Sequence, residues 1–325
     1  MRKIKWGVLG TAGIARGCTI PGMKTAENCE LYAIAGRNPE KVEAFRQEFG
    51  FEKGYNSLQA LLEDPQVEAV YIPLSNDLHY EWVLKAVKAK KHVLCEKPLA
   101  PTAQQIRELF AAAKENGVLL MEAFAYLHSP LQLEIRDVVR SGKLGDILYM
   151  ESQFTYSSHD LSNIRMRKET FGGSTYDLGV YNTSQILFML DKKPEKIQAM
   201  ADFSEENIDV HTSALLSFGP DCRAQAVCGM ELAKGKDRRI DHLGIHGTEG
   251  SLVCDAQFNQ KGLLSYTVTI GDRAETFTVD TPDNYGLEVA QLGRCITEGE
   301  ERHVSEAFTI ANAEVIDEIL KVIGY

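Results

Sequence analysis

The sequence has no surplus of positive charge. Lys and Arg number 35 against 46 Asp and Glu, a formal charge of −11, and such a chain repels phosphate backbones and anionic lipid. Nucleic acid is not an expected partner. No stretch approaches the roughly 20 apolar residues that a membrane span requires, and the start, Met1-Arg2-Lys3-Ile4-Lys5-Trp6-Gly7-Val8-Leu9-Gly10, has too short an apolar run for a signal peptide. No membrane association is expected, and a cytoplasmic location is. There is no Cys-x-x-Cys. The seven cysteines (Cys18, Cys29, Cys95, Cys222, Cys228, Cys254, Cys295) are odd in number and scattered, the usage of free thiols packed as small core residues in a reducing compartment. Low-complexity segments and internal repeats are also missing.

What is present is an ordinary globular composition, 44% hydrophobic and 25% charged over 325 residues, a length that implies about two domains. The first part alternates short apolar runs with helical patterns. Strands are expected at Ile4 to Leu9, Glu30 to Ala35, Ala69 to Leu74, His92 to Cys95 and Val118 to Met121. Helices are expected at Gly13 to Lys24, Glu40 to Phe49, Leu78 to Ala89 and Ala103 to Asn116. Asn38 is placed to cap the second of these, with Pro39 at its first position and Gly50 as its stop. Strands alternating with helices imply a parallel sheet covered on both faces.

After about Met121 the texture changes. Ser129 to Ser141 and Thr175 to Leu190 are expected as helices. Alternating apolar and polar residues in Ile147 to Tyr156, Thr212 to Phe218, Arg223 to Leu232 and Ser265 to Ile270 imply a mostly antiparallel sheet. One face of such a sheet is often left for solvent or a partner; Cys254, Phe258, Leu263, Leu264 and Tyr266 are expected to supply it, making a homo-oligomer. Two helices, Asn284 to Thr297 and Ser305 to Ile323, close the chain. The fold class is thus α/β: a doubly wound parallel domain over 1–122, then an α+β domain over 123–325 with a large open sheet, whose last helices can pack back on the first domain.

Gly10-Thr11-Ala12-Gly13-Ile14-Ala15 directly follows strand one and opens a helix, the context a dinucleotide fingerprint requires. Gly10 permits the tight turn, Ala12 stands where a second glycine usually admits the pyrophosphate, and Ala15 replaces the third. The backbone N–H groups of Ala12 to Ile14 and the helix dipole favour an anion there. At the tip of strand two, Ala35-Gly36-Arg37-Asn38 lacks the carboxylate that accepts ribose hydroxyls in NAD sites. Arg37 instead offers a planar fork for a 2′-phosphate, and Lys41 adds charge one turn on. NADP is the expected cofactor, with NAD as the alternative.

His92-Val93-Leu94-Cys95-Glu96-Lys97-Pro98 puts Lys97 at the carboxyl end of a buried strand, the edge at which open parallel sheets bind ligands. Eighty residues on, Gly172-Gly173-Ser174-Thr175-Tyr176-Asp177-Leu178-Gly179-Val180-Tyr181 enters a helix on which Asp177 and Tyr181, four apart, share one face. His159-Asp160 forms a loop pair, either near the cleft or simply exposed. His242 and His246 have the spacing of helical metal ligands, but Arg239 to Gly247 patterns as a strand, where that separation spans roughly 13 Å. No metal is expected.

Gly10 to Ala15, Asn76-Asp77-Leu78-His79, Glu96-Lys97-Pro98 and Gly173 to Tyr181 together resemble the glucose-fructose oxidoreductase / inositol dehydrogenase / MocA (Gfo/Idh/MocA) family, essentially end to end. Met121-Glu122-Ala123-Phe124, Asn163-Ile164-Arg165, Asp177 to Tyr181 and Lys193-Pro194-Glu195-Lys196-Ile197 are most similar to its branch of dimeric dihydrodiol dehydrogenases and NADP-dependent D-xylose dehydrogenases. One departure is Leu127, where many relatives carry arginine. The resemblance implies a Rossmann domain, a second domain whose open sheet often makes a dimer interface, and a cis bond before Pro98. It also implies a cofactor lying against Ser75, Asn76, His79, Glu96 and Lys97 besides the glycine loop, with His79 capping or packing nearby, and a substrate pocket that includes Tyr126 and Arg165.

The expected activity is hydride exchange between nicotinamide and a hydroxyl or carbonyl carbon of a sugar, polyol or related small polar substrate. Such chemistry needs a group that takes and returns the hydroxyl proton. Tyr181 suits it: a tyrosine titrates near about 10 and a neighbouring ammonium, here Lys97, favours the phenolate, while Asp177 orients Lys97 or the substrate. Two alternatives stand beside this: a tightly held dinucleotide used in transient oxidation for glycoside cleavage or elimination, and a non-catalytic dinucleotide sensor.

Overall fold

The computed structural model describes residues 2–157, 163–230, 239–256 and 258–325. Contacts divide the chain into two compact units, Met1–His128 with Pro282–Thr309, and Ser129–Thr281 with Ile310–Tyr325. The division thus falls a few residues beyond 122 and returns a C-terminal segment to the first unit.

The first unit holds six strands: β1 (Ile4–Leu9), β2 (Cys29–Ala35), β3 (Lys53–Tyr55), β4 (Ala69–Ile72), β5 (His92–Glu96) and β6 (Leu120–Ala123). They pair in parallel in the order β3-β2-β1-β4-β5-β6. The order reverses between β1 and β4, so the loops after these two strands diverge and leave a crevice at the carboxyl edge. Ile4, Trp6, Val8 and Leu9 are fully buried, as are all four residues of β4, which is why these strands appear as unbroken apolar runs rather than alternating ones.

Helices α2 (Pro39–Phe49), α3 (Leu58–Glu63), α4 (Asn76–Lys88) and α5 (Ala103–Asn116) connect the strands. The Asn38 side chain accepts the Lys41 N–H and Gly50 closes α2 at φ 81°, as the sequence predicts. β4 stops at Ile72, two residues short of expectation, because Pro73 has no N–H to continue a ladder. β6 starts later than expected because the Val118 N–H is bonded to Ala113 at the end of α5. β3 and α3 went unpredicted: a three-residue edge strand, Lys53-Gly54-Tyr55, and a six-residue helix carry little periodicity.

The helix after β1 opens with a π-helical turn, Ala15–Thr19, before α1 (Ile20–Met23). α8 (Asn284–Glu298) packs directly on it. A Cβ on Gly22 would lie 2.6 Å from Tyr285 Cβ and 2.7 Å from the Gly286 nitrogen, so only glycine admits α8 this closely.

The second unit is built on eight strands: β7 (Ile147–Tyr156), β8 (Lys196–Phe203), β9 (Asp209–Ser217), β10 (Arg223–Gly229), β11 (Arg239–Gly247), β12 (Gly250–Cys254), β13 (Gly262–Ile270) and β14 (Arg273–Thr281). Their order is β14-β13-β12-β11-β7-β10-β9-β8, antiparallel except for β7 with β10. Helices α6 (Pro130–Arg140) and α7 (Val180–Leu190) lie against this sheet, and α9 (Glu306–Ile323) ends the chain, the division between units falling within it after Thr309.

The expected open face needs correction. Cys254, Phe258 and Tyr266 are buried, and the Tyr266 hydroxyl donates to Glu134 of α6 at 2.7 Å. Leu264 shares that covered side by the two-residue period, whereas Leu263 points the other way and is 75% exposed. The uncovered face instead carries Leu263, Leu215 and the 81% exposed Met200, among polar neighbours such as Gln198 and Gln225 in register across the strands.

Because alanine is the better helix former by up to about 1 kcal/mol, Gly22→Ala on an open helix would stabilise. Here it is expected to destabilise by roughly 1–3 kcal/mol through overpacking, measured by urea unfolding; a gain in stability would show that α8 does not sit this close.

Candidate active site

In the first unit the site is built along the carboxyl edge of the parallel sheet. Gly10 leaves β1 at φ 138°, a conformation that excludes side chains, and a Cβ there would approach Leu74 Cδ2 at 3.2 Å. Thr11, Ala12 and Ile14 are half-buried and Gly13 is exposed, with open space where its Cβ would be. The first N–H groups of a helix have no intrahelical partner. Here no side chain caps them and no acidic residue occupies the first turn, whereas Asn38, Ser57, Thr102 and Asp283 cap their own helices. The turn keeps its donors and its positive dipole end for an anion, and its bare backbone fits a pyrophosphate.

Arg37 and Lys41 are both exposed at the tip of β2 and the first turn of α2. Gly36, which sequence reasoning passed over, lets Thr11 pack beside that tip: its Cβ would lie 3.2 Å from Thr11 Cγ2. Ser75 precedes α4 without making a side-chain cap, and it and Asn76 are half-buried. His79 lies beneath these loops rather than on their surface, 1% exposed, with Nδ1 2.7 Å from the Pro98 oxygen and Nε2 3.0 Å from the Leu74 oxygen.

Glu96 and Lys97 are half-buried at the end of β5, and the Lys97-Pro98 bond is cis. Glu96 accepts from the Tyr71 hydroxyl at 2.6 Å, which in turn accepts from Thr19 at 2.8 Å. Glu122 on β6 is 3% exposed and accepts the Leu99 N–H at 2.9 Å. Burial pushes its carboxyl up to about 7, against the opposing pull of the Leu99 amide and the Lys97 ammonium. Tyr126, expected at the substrate pocket, is 1% exposed and edge-on to Phe124, and Leu127 is fully buried. Both side chains are packed away from solvent in the first unit.

In the second unit Asp177 and Tyr181 are held by one segment. The helix expected from Thr175 opens with a π-helical turn, Thr175–Gly179, and continues as α7. Asp209 of β9 fixes its start: a single carboxylate oxygen accepts the Ser174 and Thr175 hydroxyls, the Thr175 N–H and the Thr212 hydroxyl at 2.7–2.8 Å. Gly173, at φ 106°, is required there because a Cβ would fall 2.0 Å from the other Asp209 oxygen. Asp177 accepts Arg165 Nε at 2.9 Å and the Tyr156 hydroxyl at 3.1 Å. Asp177 keeps the Arg165 guanidinium charged, and burial, with the Asp177 charge, holds the Tyr156 phenol neutral.

Arg165 is aimed by its own turn, Ile164–Met166, where Asn163 accepts the Arg165 N–H, and by Gly173, whose N–H bonds the Arg165 carbonyl at 2.8 Å. Tyr181 is half-buried, its ring 5.5 Å from Phe154 and 5.2 Å from Phe258. Tyr156, Asp209 and the two phenylalanines were missed by sequence reasoning; only Tyr156, ending an alternating run, left any signal. His159-Asp160 lies outside the described residues. His242 and His246 do share a face of β11, leaning over Gly244 toward one Glu151 oxygen at 3.2 and 3.9 Å, so the distance along the strand does not keep their rings apart. Among the described residues no three acidic, His or Cys groups are arranged to hold a metal.

Residues 4–124 match the model of an oxidoreductase family with an NAD-binding Rossmann fold, and residues 132–253 match the GFO/IDH/MocA C-terminal domain. The chain belongs to the GFO/IDH/MocA oxidoreductase family. It is 32% identical to D-xylose 1-dehydrogenase (NADP(+)) 2 of Haloferax volcanii over 97% of this chain and 95% of that one. It is 29% identical to trans-1,2-dihydrobenzene-1,2-diol dehydrogenase of Mus musculus over 99% and 97%. Among solved structures, a 3-ketoreductase from Actinomadura kijaniata in complex with NADP and TDP-benzene superposes with a TM-score of 0.92 at 30% identity, covering 99% of this chain and 98% of that one.

Because Glu122 binds its proton more tightly folded than unfolded, that contribution to stability is whole below about pH 4.5 and is lost as pH rises through about 7. Glu122→Gln keeps an acceptor for Leu99 and cannot ionise. Relative to the wild type it is expected to gain roughly 2 kcal/mol between pH 5 and pH 8, by urea unfolding at both; an equal difference at the two pH values contradicts a neutral Glu122.

Proposed function

We propose that this oxidoreductase interconverts a hydroxyl and a carbonyl on a sugar, polyol or related small polar substrate, with NADP preferred over NAD. The observation that carries the substrate side is the Asp177 cluster: a charged carboxylate held by Arg165 and Tyr156 four residues before the half-buried Tyr181. The bound nicotinamide supplies the hydride acceptor or donor. Tyr181 takes the hydroxyl proton in oxidation and returns it in reduction; Lys97 offers an ammonium to the substrate oxygen and the cofactor; Asp177 orients hydroxyl groups through whatever acceptor capacity Arg165 and Tyr156 leave it.

Gly10 to Ile14 cradle the pyrophosphate, and Ser75, Asn76 and Glu96 line the cofactor. The exposed Arg37 and Lys41 meet a 2′-phosphate, a reading supported by the NADP named for the Haloferax volcanii dehydrogenase and the Actinomadura kijaniata ketoreductase. In this reading 1–122 serve the cofactor and 123–325 the substrate, with Pro282–Thr309 returned to the first unit. The same reading takes the enzyme as a homodimer or higher homo-oligomer through the uncovered sheet face with Met200, Leu215 and Leu263. The seven free cysteines support work in the cytoplasm.

Tyr181→Phe and Lys97→Met are each expected to lower kcat/KM by roughly 10²-fold or more on the best substrate from a panel of aldoses, polyols and keto sugars, with unfolding midpoints near the wild type. Near-normal turnover in both variants would remove these residues from the chemistry.

A further inference from the structure

His79 has a hydrogen-bond arrangement that a neutral imidazole cannot complete. Its two ring nitrogens face two backbone carbonyl oxygens, Pro98 at 2.7 Å and Leu74 at 3.0 Å, in a site only 1% exposed. Carbonyl oxygens accept and never donate, while a neutral imidazole has one N–H and one lone pair. In the neutral ring one nitrogen therefore turns its lone pair on an oxygen, and that carbonyl loses a donor. Only the imidazolium makes both bonds.

The two carbonyls belong to the loops that follow β4 and β5. Leu74 sits against Gly10, where a Cβ would meet its side chain at 3.2 Å, and Pro98 follows Lys97. Both flank the edge at which the dinucleotide binds. The groups around the ring oppose its charge in the free protein: complete burial holds it below its ordinary range, the Lys97 ammonium adds to that, and only Asp77 on α4 and the two carbonyls pull the other way. The helix dipole at the first turn of α4 opposes it too. β4 contributes no charged residue. On α5 Glu108 bonds Tyr80 at the surface, and on β6 Glu122 bears on Lys97. A dinucleotide reverses the balance, because its pyrophosphate brings about two negative charges to this edge.

We propose that His79 is a proton-linked positioning residue: when the dinucleotide binds, the ring takes up one proton from solvent, and the imidazolium ties the Leu74 and Pro98 carbonyls into one rigid cofactor edge. The proposal rests on the dinucleotide-binding reading above. It makes cofactor affinity fall as pH rises above the free ring's titration, by up to tenfold per pH unit, until the bound ring titrates in turn.

Calorimetric titration of the whole protein with NADH and with NADPH, in buffers of different ionisation enthalpy at pH 7–8, counts the protons. NADH lacks the titrating 2′-phosphate and isolates the protein's share. Uptake approaching one proton in the wild type, near zero in His79→Gln, with affinity that falls with pH only in the wild type, is the expected result. If that variant does not fold, the ring nitrogens of the wild type decide: ¹⁵N-histidine spectra must show one neutral imidazole become doubly protonated on NADH binding. Binding of both dinucleotides without proton uptake, uptake unchanged in His79→Gln, or no such spectral change overturns the proposal while leaving the cofactor reading intact. Failure of both dinucleotides to bind overturns the two together.

Discussion

Burial of both faces of the parallel sheet is the constraint from which the cofactor half of the molecule follows. With β4 and all of β1 but Lys5 buried, few polar groups fit along these strands and the rest gather where the strands end. Gly10, Ser75, Glu96 and Lys97 all stand at such ends. The same seal accounts for the unusual state of the groups just beneath: Glu122 is pushed to about 7 by burial, and His79 is closed between two carbonyls. An edge that is open above and dry below concentrates electrostatic interactions where a charged ligand lands.

The second unit solves a different problem, that of keeping a charged carboxylate half-buried without letting it collapse onto a random partner. Asp209 anchors the start of the helix through four donors on one oxygen, and Gly173 makes room for that anchor. Arg165 and Tyr156 then hold Asp177 through one of its oxygens, Oδ2. Each tie shortens the range of positions open to the next, so the place of Tyr181 is set by contacts that begin on other elements of the unit. Such supporting contacts hold reactive side chains within the small tolerances that proton transfer requires.

What the sequence made legible follows this split. Local signals were sufficient for the parallel strands, for the Asn38 cap and Gly50 stop, for the Gly10 turn and for Lys97 at a strand end, since each depends on neighbours a few residues away. The partners of Asp177 were not so legible: Arg165, Tyr156 and Asp209 approach it or its helix from 12, 21 and 34 residues off along the chain, and contacts of that range leave no periodicity. The expected open face failed for a simpler reason, that Leu263 and Leu264 are adjacent in a strand and must point to opposite sides. Tyr126 was reached by resemblance alone, its place among buried residues leaving no local signal of a pocket.

The central claim is that the β1 turn and the β2 tip form a dinucleotide site in which Arg37 meets a 2′-phosphate. The most direct measurement is equilibrium titration of the wild type and Arg37→Ala with NADPH and NADH, followed by quenching of protein fluorescence. NADPH is expected to bind the wild type at least tenfold more tightly than NADH, and Arg37→Ala to lose that preference while keeping its affinity for NADH. Equal binding of the two by the wild type, or a preference that survives the loss of Arg37, would contradict it.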